Sequence, residues 1–136
     1  MSVAIETLIP HRAPMRWIDA LTGSTDTTAS ATACFSAEHF AVANGLVLEP
    51  ALVECVAQTA AAALGQRAQT RGQSGSTGIG MLAAVSDFQI HSRAPAGKQL
   101  QIEVRELRRL GPMLLVAGTV SCEGQEIASG ELMLYA

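Results

Sequence analysis

Apolar and polar positions along the chain change their period several times, and each change marks an element. From Pro50 to Arg71 the pattern is helical. Val53, Ala57, Ala60 and Leu64 form one apolar stripe, and Leu52, Val56 and Ala63 form a second. Pro50 suits a first helical turn, where its missing N–H costs little. A helix apolar on most sides is a buried helix, and its many alanines let a sheet approach closely. Elsewhere the pattern favours strands. Residues 15–22 and 27–35 flank a turn at Gly23–Asp26, and residues 79–91 read as a further strand. Residues 99–108 and 113–122 join through Gly111–Pro112, and residues 126–135 follow a turn at Glu123–Gly124. In that last strand Ala128, Gly130, Leu132 and Leu134 share one face, opposite Ser129 and Glu131. A short helix near residues 4–9 opens the chain, and GQSGSTG at residues 72–78 predicts a mobile connection. Tight turns between the last strands imply an antiparallel sheet. With one long helix to cover it, the fold class is α+β, with the sheet curled around the helix.

Composition narrows the functions. The 136 residues are 49% hydrophobic and 15% charged, which excludes disorder and suits one domain. So few charges leave part of the surface apolar, which a subunit interface would hide. The net charge of −3 argues against nucleic acid as a partner. Residues 51–64, the longest apolar stretch, contain Glu54, Gln58 and Thr59 and fall short of a membrane span. The N-terminus lacks the apolar core of a signal peptide. Cys34, Cys55 and Cys122 stand apart with no CxxC pair, as expected of free thiols in a reducing, cytoplasmic setting.

Several residues carry chemistry. Glu54 lies on an otherwise apolar helix, where a carboxyl group is either functional or turned to solvent or a partner. Gln58, one turn on, shares its face, and Ala61, Ala62 and Gly65 continue that face with small residues. His39 sits in a loop ahead of the helix, either solvated or reactive. His11 reads as a cap or packing group of the N-terminal turn, and His91 as a strand end beside Arg93. Asp19 and Asp87 read as turn or surface groups, with Asp19 in reach of Arg12 or Arg16. No histidines or cysteines share a metal-ligand spacing, so no metal site is expected. GQSGSTGIG fits neither phosphate-binding glycine motif, because a strand follows it. Arg105, Arg108 and Arg109 form a basic cluster, read as a solvated strand face or a dock for an acidic carrier.

Three segments resemble the β-hydroxyacyl-acyl-carrier-protein dehydratases. In LIPHRAPMRWIDAL, residues 8–21, His11, Arg12, Pro14 and Asp19 match that family's opening. In residues 38–62, His39, Phe40, Glu54, Ala57 and Gln58 match its His-Phe pair and its Glu-x-x-Ala-Gln helix. In residues 93–104, Pro95, Gly97 and Leu100 match a Pro-x-Gly-Asp-x-Leu pattern, with Lys98 in place of the Asp. ALVECVAQTAAA and GMLAAVSDF further resemble the short dehydratase-like proteins of aryl-polyene-type clusters. The stretch AVANGLVLEP departs from the family, with Glu49 where a glycine is expected.

The resemblance implies a hot-dog fold, a curved sheet of about six strands around one central helix, in a single domain spanning residues 1–136. It implies dehydration of 3-hydroxyacyl thioesters to trans-2-enoyl products. Glu54 and His39 would be the acid/base pair, contributed by different subunits of a dimer. Gln58, Ala51 and Ala61 would bind the substrate, and the helix start would polarise the thioester oxygen. No cofactor is implied beyond the phosphopantetheine of an acyl-carrier protein or CoA that carries the substrate. A homodimer, or a larger assembly of dimers, is expected. The alternatives are a thioesterase of the same fold and a non-catalytic partner subunit, the latter motivated by AVANGLVLEP.

Overall fold

The structure, a computed structural model, describes residues 4–9, 11–13, 15–70, 72 and 81–135. A single 3-10 turn, Ile5–Thr7, opens the described chain, with Ile5, Leu8 and Ile9 buried beneath it. Strands β1 (Ala20–Ser24) and β2 (Thr28–Ala33) follow. A small hairpin comes next, β3 (Val42–Ala43) with β4 (Leu46–Val47), and then helix α1, Glu49–Thr70. Four long strands complete the fold: β5 (Met81–Ile90), β6 (Leu100–Leu110), β7 (Met113–Cys122) and β8 (Gln125–Tyr135). The main sheet runs β1-β2-β6-β7-β8-β5, and every pair is antiparallel. Among the described residues, no helix is long and apolar enough to cross a membrane. Beyond Gly72, the connection expected at residues 72–78 lies outside the described residues, as do residues 79–80 of the expected strand.

Alternation decides which face of the sheet meets the helix. In β6, Leu100, Ile102 and Val104 point inward, and in β7 Leu114, Val116, Val120 and Cys122 do so. Leu132 and Leu134 continue this layer in β8, and Ala29, Ala31 and Ala33 in β2. Against them lies the face of α1 made by Leu52, Val56 and a run of buried alanines. Gly118 interrupts the inward row of β7. A Cβ there would stand 2.3 Å from Val56 Cγ1, so the bare backbone is what lets helix and sheet touch.

Two elements differ from expectation. The strand expected over residues 15–22 begins only at Ala20. In place of a ladder, the Trp17 and Ile18 amides donate to the Gln58 side chain, which donates in turn to the Met15 carbonyl, and the Met15 and Arg16 amides donate to the Arg12 carbonyl. The hairpin β3–β4 was not expected. Asn44 and Gly45 make its turn, both at positive φ (55° and 76°), as a two-residue hairpin requires.

The edge strand β5 is irregular. Its pairing with β8 shifts between Leu82 and Ala84 and again between Ser86 and Gln89. At the second shift Asp87 takes φ 51° and Phe88 folds over Gly130, where a Cβ would stand 2.4 Å from Phe88 Cα. These bulges keep Leu82, Val85 and Ile90 in register with the inward-facing Leu134, Leu132 and Ala128 of β8.

Candidate active site

The site is built where the N-terminal arm crosses the first half of α1. Gln58 organises it. This side chain is 1% exposed, yet all its polar atoms are used. Its Nε2 donates to the Met15 carbonyl (2.8 Å) and to Glu54 Oε2 (3.0 Å). Its Oε1 accepts from the amides of Trp17 (2.8 Å) and, more weakly, Ile18 (3.4 Å). One buried amide thus ties the arm to the helix and fixes the carboxyl group one turn away.

The arm is stiffened on its own side. The Arg12 guanidinium gathers the carbonyls of Glu6, Ile9 and His11 at 2.8–3.1 Å. Arg16 reaches the Glu6 carboxyl group (2.9 Å) and the Ile18 carbonyl (2.7 Å). The Trp17 ring then packs edge-on against Phe35, His39 and Phe40. As a result His11 Nε2 comes to 3.5 Å from Glu54 Oε2, with the two side chains 29% and 28% exposed. The sequence presents His11 as a cap or packing group. The fold instead brings it to Glu54, the carboxyl group that Gln58 holds on the buried part of the helix. No local signal marks this contact, because it joins positions 43 residues apart.

His39 sits elsewhere within the chain. Its Nδ1 accepts the Ala41 amide (2.9 Å), so the proton of the neutral ring resides on Nε2. Its ring stacks on Phe40 at 4.8 Å and meets Phe35 edge-on at 5.1 Å. The described polar contacts of Glu54 are with Gln58 and His11 and do not include His39. Ala51 and Ala61, expected to leave room for an acyl chain, are each 1% exposed and pack inside the chain. Their small size serves the close helix–sheet approach. At the helix start, Pro50 has no N–H and the Ala51 amide donates to the Leu48 carbonyl (3.0 Å). Both are thereby removed from any oxyanion hole there.

Glu54 opens onto a groove of about 470 Å³. Glu49, Pro50 and Val53 line its helix side, and Leu82, Val85, Phe88 and Ile90 of β5 line the other. Leu82 and Val85 are 39% and 48% exposed, an apolar wall left open on a sheet edge. A depression of about 490 Å³ on the outer sheet face is lined by Ser24, Ser30, Glu103, Arg105 and neighbours. Behind Glu54, burial pushes the Cys55 thiol well above the ordinary thiol range, with Glu54 and Asp19 adding to the effect. Cys55 is thus an inert core group rather than a nucleophile.

Comparison with known proteins agrees with this architecture. The dehydratase heterocomplex ApeI:P from Xenorhabdus doucetiae matches with a TM-score of 0.88 at 20% identity, over 98% of this chain and 90% of that one. The PaaI protein of the E. coli phenylacetic acid degradation operon gives 0.66 at 10% identity, over 85% and 81%. The smu.793 protein of Streptococcus mutans UA159, solved with acetyl CoA bound, gives 0.66 at 13%, over 92% and 94%. These likenesses establish the hot-dog fold. No curated protein matches the chain. The family model described as ApeP-like, ApeP dehydratase, matches residues 3–136. On a match of that extent, carried by this fold, the chain belongs to the ApeP-like family of dehydratases.

Proposed function

We propose that this dehydratase acts on 3-hydroxyacyl thioesters held by acyl-carrier protein, releasing water and leaving trans-2-enoyl thioesters, with Glu54 as a proton-transfer group. The observation that carries the reading is a carboxyl group fixed by Gln58 on a buried helix and opening into an apolar groove. The groove suits an acyl chain, and the carboxyl group stands at its wall, where C2 and C3 of the substrate would lie. Elimination needs the proton on C2 removed and the C3 hydroxyl protonated as it leaves. The edge of β5, unpaired among the described residues, and its apolar wall support a second copy of this chain as the partner that closes the groove. Free, separated thiols fit a cytoplasmic setting.

The test is mass spectrometry of a 3-hydroxyacyl carrier-protein thioester after incubation with the wild type and with Glu54→Gln. Loss of one water from the intact thioester is expected for the wild type, and a rate about 10²–10⁴-fold lower for the variant. Release of free carrier thiol would make the protein a thioesterase. Equal rates would remove Glu54 from the chemistry. Light scattering of the purified protein is expected to give the mass of two chains. A monomer that dimerises only with a related subunit would replace the homodimer.

A further inference from the structure

We propose that His11, from the arm of the same chain, is the second proton-transfer group at Glu54. The proposal deepens the dehydration reading above and rests on it.

Three observations carry it. His11 Nε2 stands 3.5 Å from Glu54 Oε2, and both groups are partly open to solvent. The other ring nitrogen, Nδ1, is buried with no hydrogen-bond partner among the described residues. A buried polar atom left unsatisfied is costly, and a catalytic role is one of the reasons for which such a cost is carried. Third, the contact is fixed from both sides. Gln58 holds Glu54 and the arm downstream of His11, and Arg12 holds the His11 carbonyl itself. Within the chain His39 makes no contact with Glu54: its Nδ1 accepts the Ala41 amide and its ring packs against Phe35 and Phe40.

The step balances as follows. The electron pair of the C2–H bond becomes the second bond between C2 and C3. The C3–O bond breaks, and its pair leaves with the hydroxyl. One member of the pair takes the C2 proton, and the other supplies the proton that makes the leaving hydroxyl water. The pair holds the same number of protons before and after, so a single transfer between Glu54 and His11 restores the starting state. The gap of 3.5 Å is of the length from which such contacts tighten when substrate seats. The acid–base pair is then complete within one chain, and a partner subunit contributes groove wall.

The test compares His11→Gln, His11→Ala, His39→Gln and Glu54→Gln with the wild type, in the oligomeric state in which the protein purifies. Glutamine places an amide where Nε2 lies, which keeps a hydrogen bond to Glu54 but cannot relay a proton. His11→Gln is expected to lose about 10²–10⁴ in dehydration rate, comparably to Glu54→Gln, while retaining a folded circular dichroism spectrum. Added imidazole is expected to restore part of the rate of His11→Ala, which a merely structural role would not allow. His39→Gln is expected to remain within tenfold of the wild type. His11→Gln within tenfold of the wild type, with Glu54→Gln inactive, would overturn the role of His11 and spare the dehydration reading. So would loss of activity in His39→Gln alongside an imidazole-insensitive His11→Ala. Full activity in Glu54→Gln would overturn both.

Discussion

Replacing Gly118 by alanine forces a methyl group into the contact between helix and sheet. The new Cβ would stand 2.3 Å from Val56 Cγ1, 3.0 Å from Cγ2 and 3.2 Å from Cβ. Carbon atoms rest at about 3.5–4.0 Å, so the closest pair overlaps by more than about 1 Å. Val56 cannot turn aside. Its χ1 is nearly fixed in a helix, and its Cβ, which no rotation moves, is itself too close. Relief must come from moving α1 off the sheet. Overpacking of this kind costs about 1–3 kcal/mol, and the absence of a soft neighbour puts Gly118 at the upper end. Alanine returns about 0.5–1 kcal/mol through its lower backbone entropy in a strand. A net loss of about 2–2.5 kcal/mol lowers the melting temperature of a chain this size by about 7–9 °C. Thermal melts of the wild type, Gly118→Ala, Val56→Ala and the double variant, at one protein concentration, test the argument. Val56→Ala alone leaves a cavity and is destabilising. Combined with Gly118→Ala it makes room for the new methyl, so the double variant is expected to exceed the additive value by at least about 1 kcal/mol. A Gly118→Ala melt within about 2 °C of the wild type, or strict additivity, would refute the reasoning.

Three further outcomes follow from the structure. Gln58→Leu keeps the volume but removes every bond between arm and helix made by that side chain, and is expected to cost about 1–3 kcal/mol in urea unfolding. Trp17, the chain's single tryptophan, reports the event directly: its emission should shift to the red in Gln58→Leu, and an unchanged spectrum would show that the arm stays docked. Cys34 is exposed while Cys55 and Cys122 are buried, so native-state alkylation near neutral pH should modify Cys34 alone, as peptide mass spectrometry would show. The raised Cys55 thiol also has a sign in stability. Below the ordinary thiol range both folded and unfolded chains hold that proton, and it contributes no pH dependence. Above about pH 8.5 only the unfolded chain loses it, and stability falls by up to about 1.4 kcal/mol per pH unit. Replacing Cys55 by alanine should remove that slope.

Much of the architecture was legible because its signals are local. Pro50 and the alanine run mark the helix, and Gly111–Pro112 and Glu123–Gly124 mark the turns of the β6–β7–β8 meander. The segments 8–21, 38–62 and 93–104, with the aryl-polyene likeness, led to the family that the chain belongs to. The β3–β4 hairpin also carries a local mark, Asn44–Gly45 between Val42 and Val47. What the sequence could not show is long-range. The apolar alternation of residues 15–22 reads as a strand, but a glutamine some 40 positions away captures its backbone first. The same capture swings His11 onto Glu54. A histidine in a PHR segment and a carboxyl group on a helix carry no mutual signal until the arm is folded.

The bulges of β5 give this site an unusual genetic grammar. Ten residues, Met81 to Ile90, run alongside only eight of β8, Tyr135 back to Ala128. A regular strand would have sent Leu82, Ala84 and Ser86 to the helix side and turned Val85 away from it. The two extra residues shift the phase and keep Leu82, Val85, Phe88 and Ile90 along one wall. Point substitutions can therefore change the girth or polarity of that wall one side chain at a time. A one-residue deletion of Ala83 does something different: it removes the extra residue of the first bulge and leaves Leu82 opposite Leu134 and Val85 opposite Leu132 in a regular ladder. The side chains of the wall and the bulges that set their phase belong to one edge strand, so either can change with Glu54 and its helix left untouched.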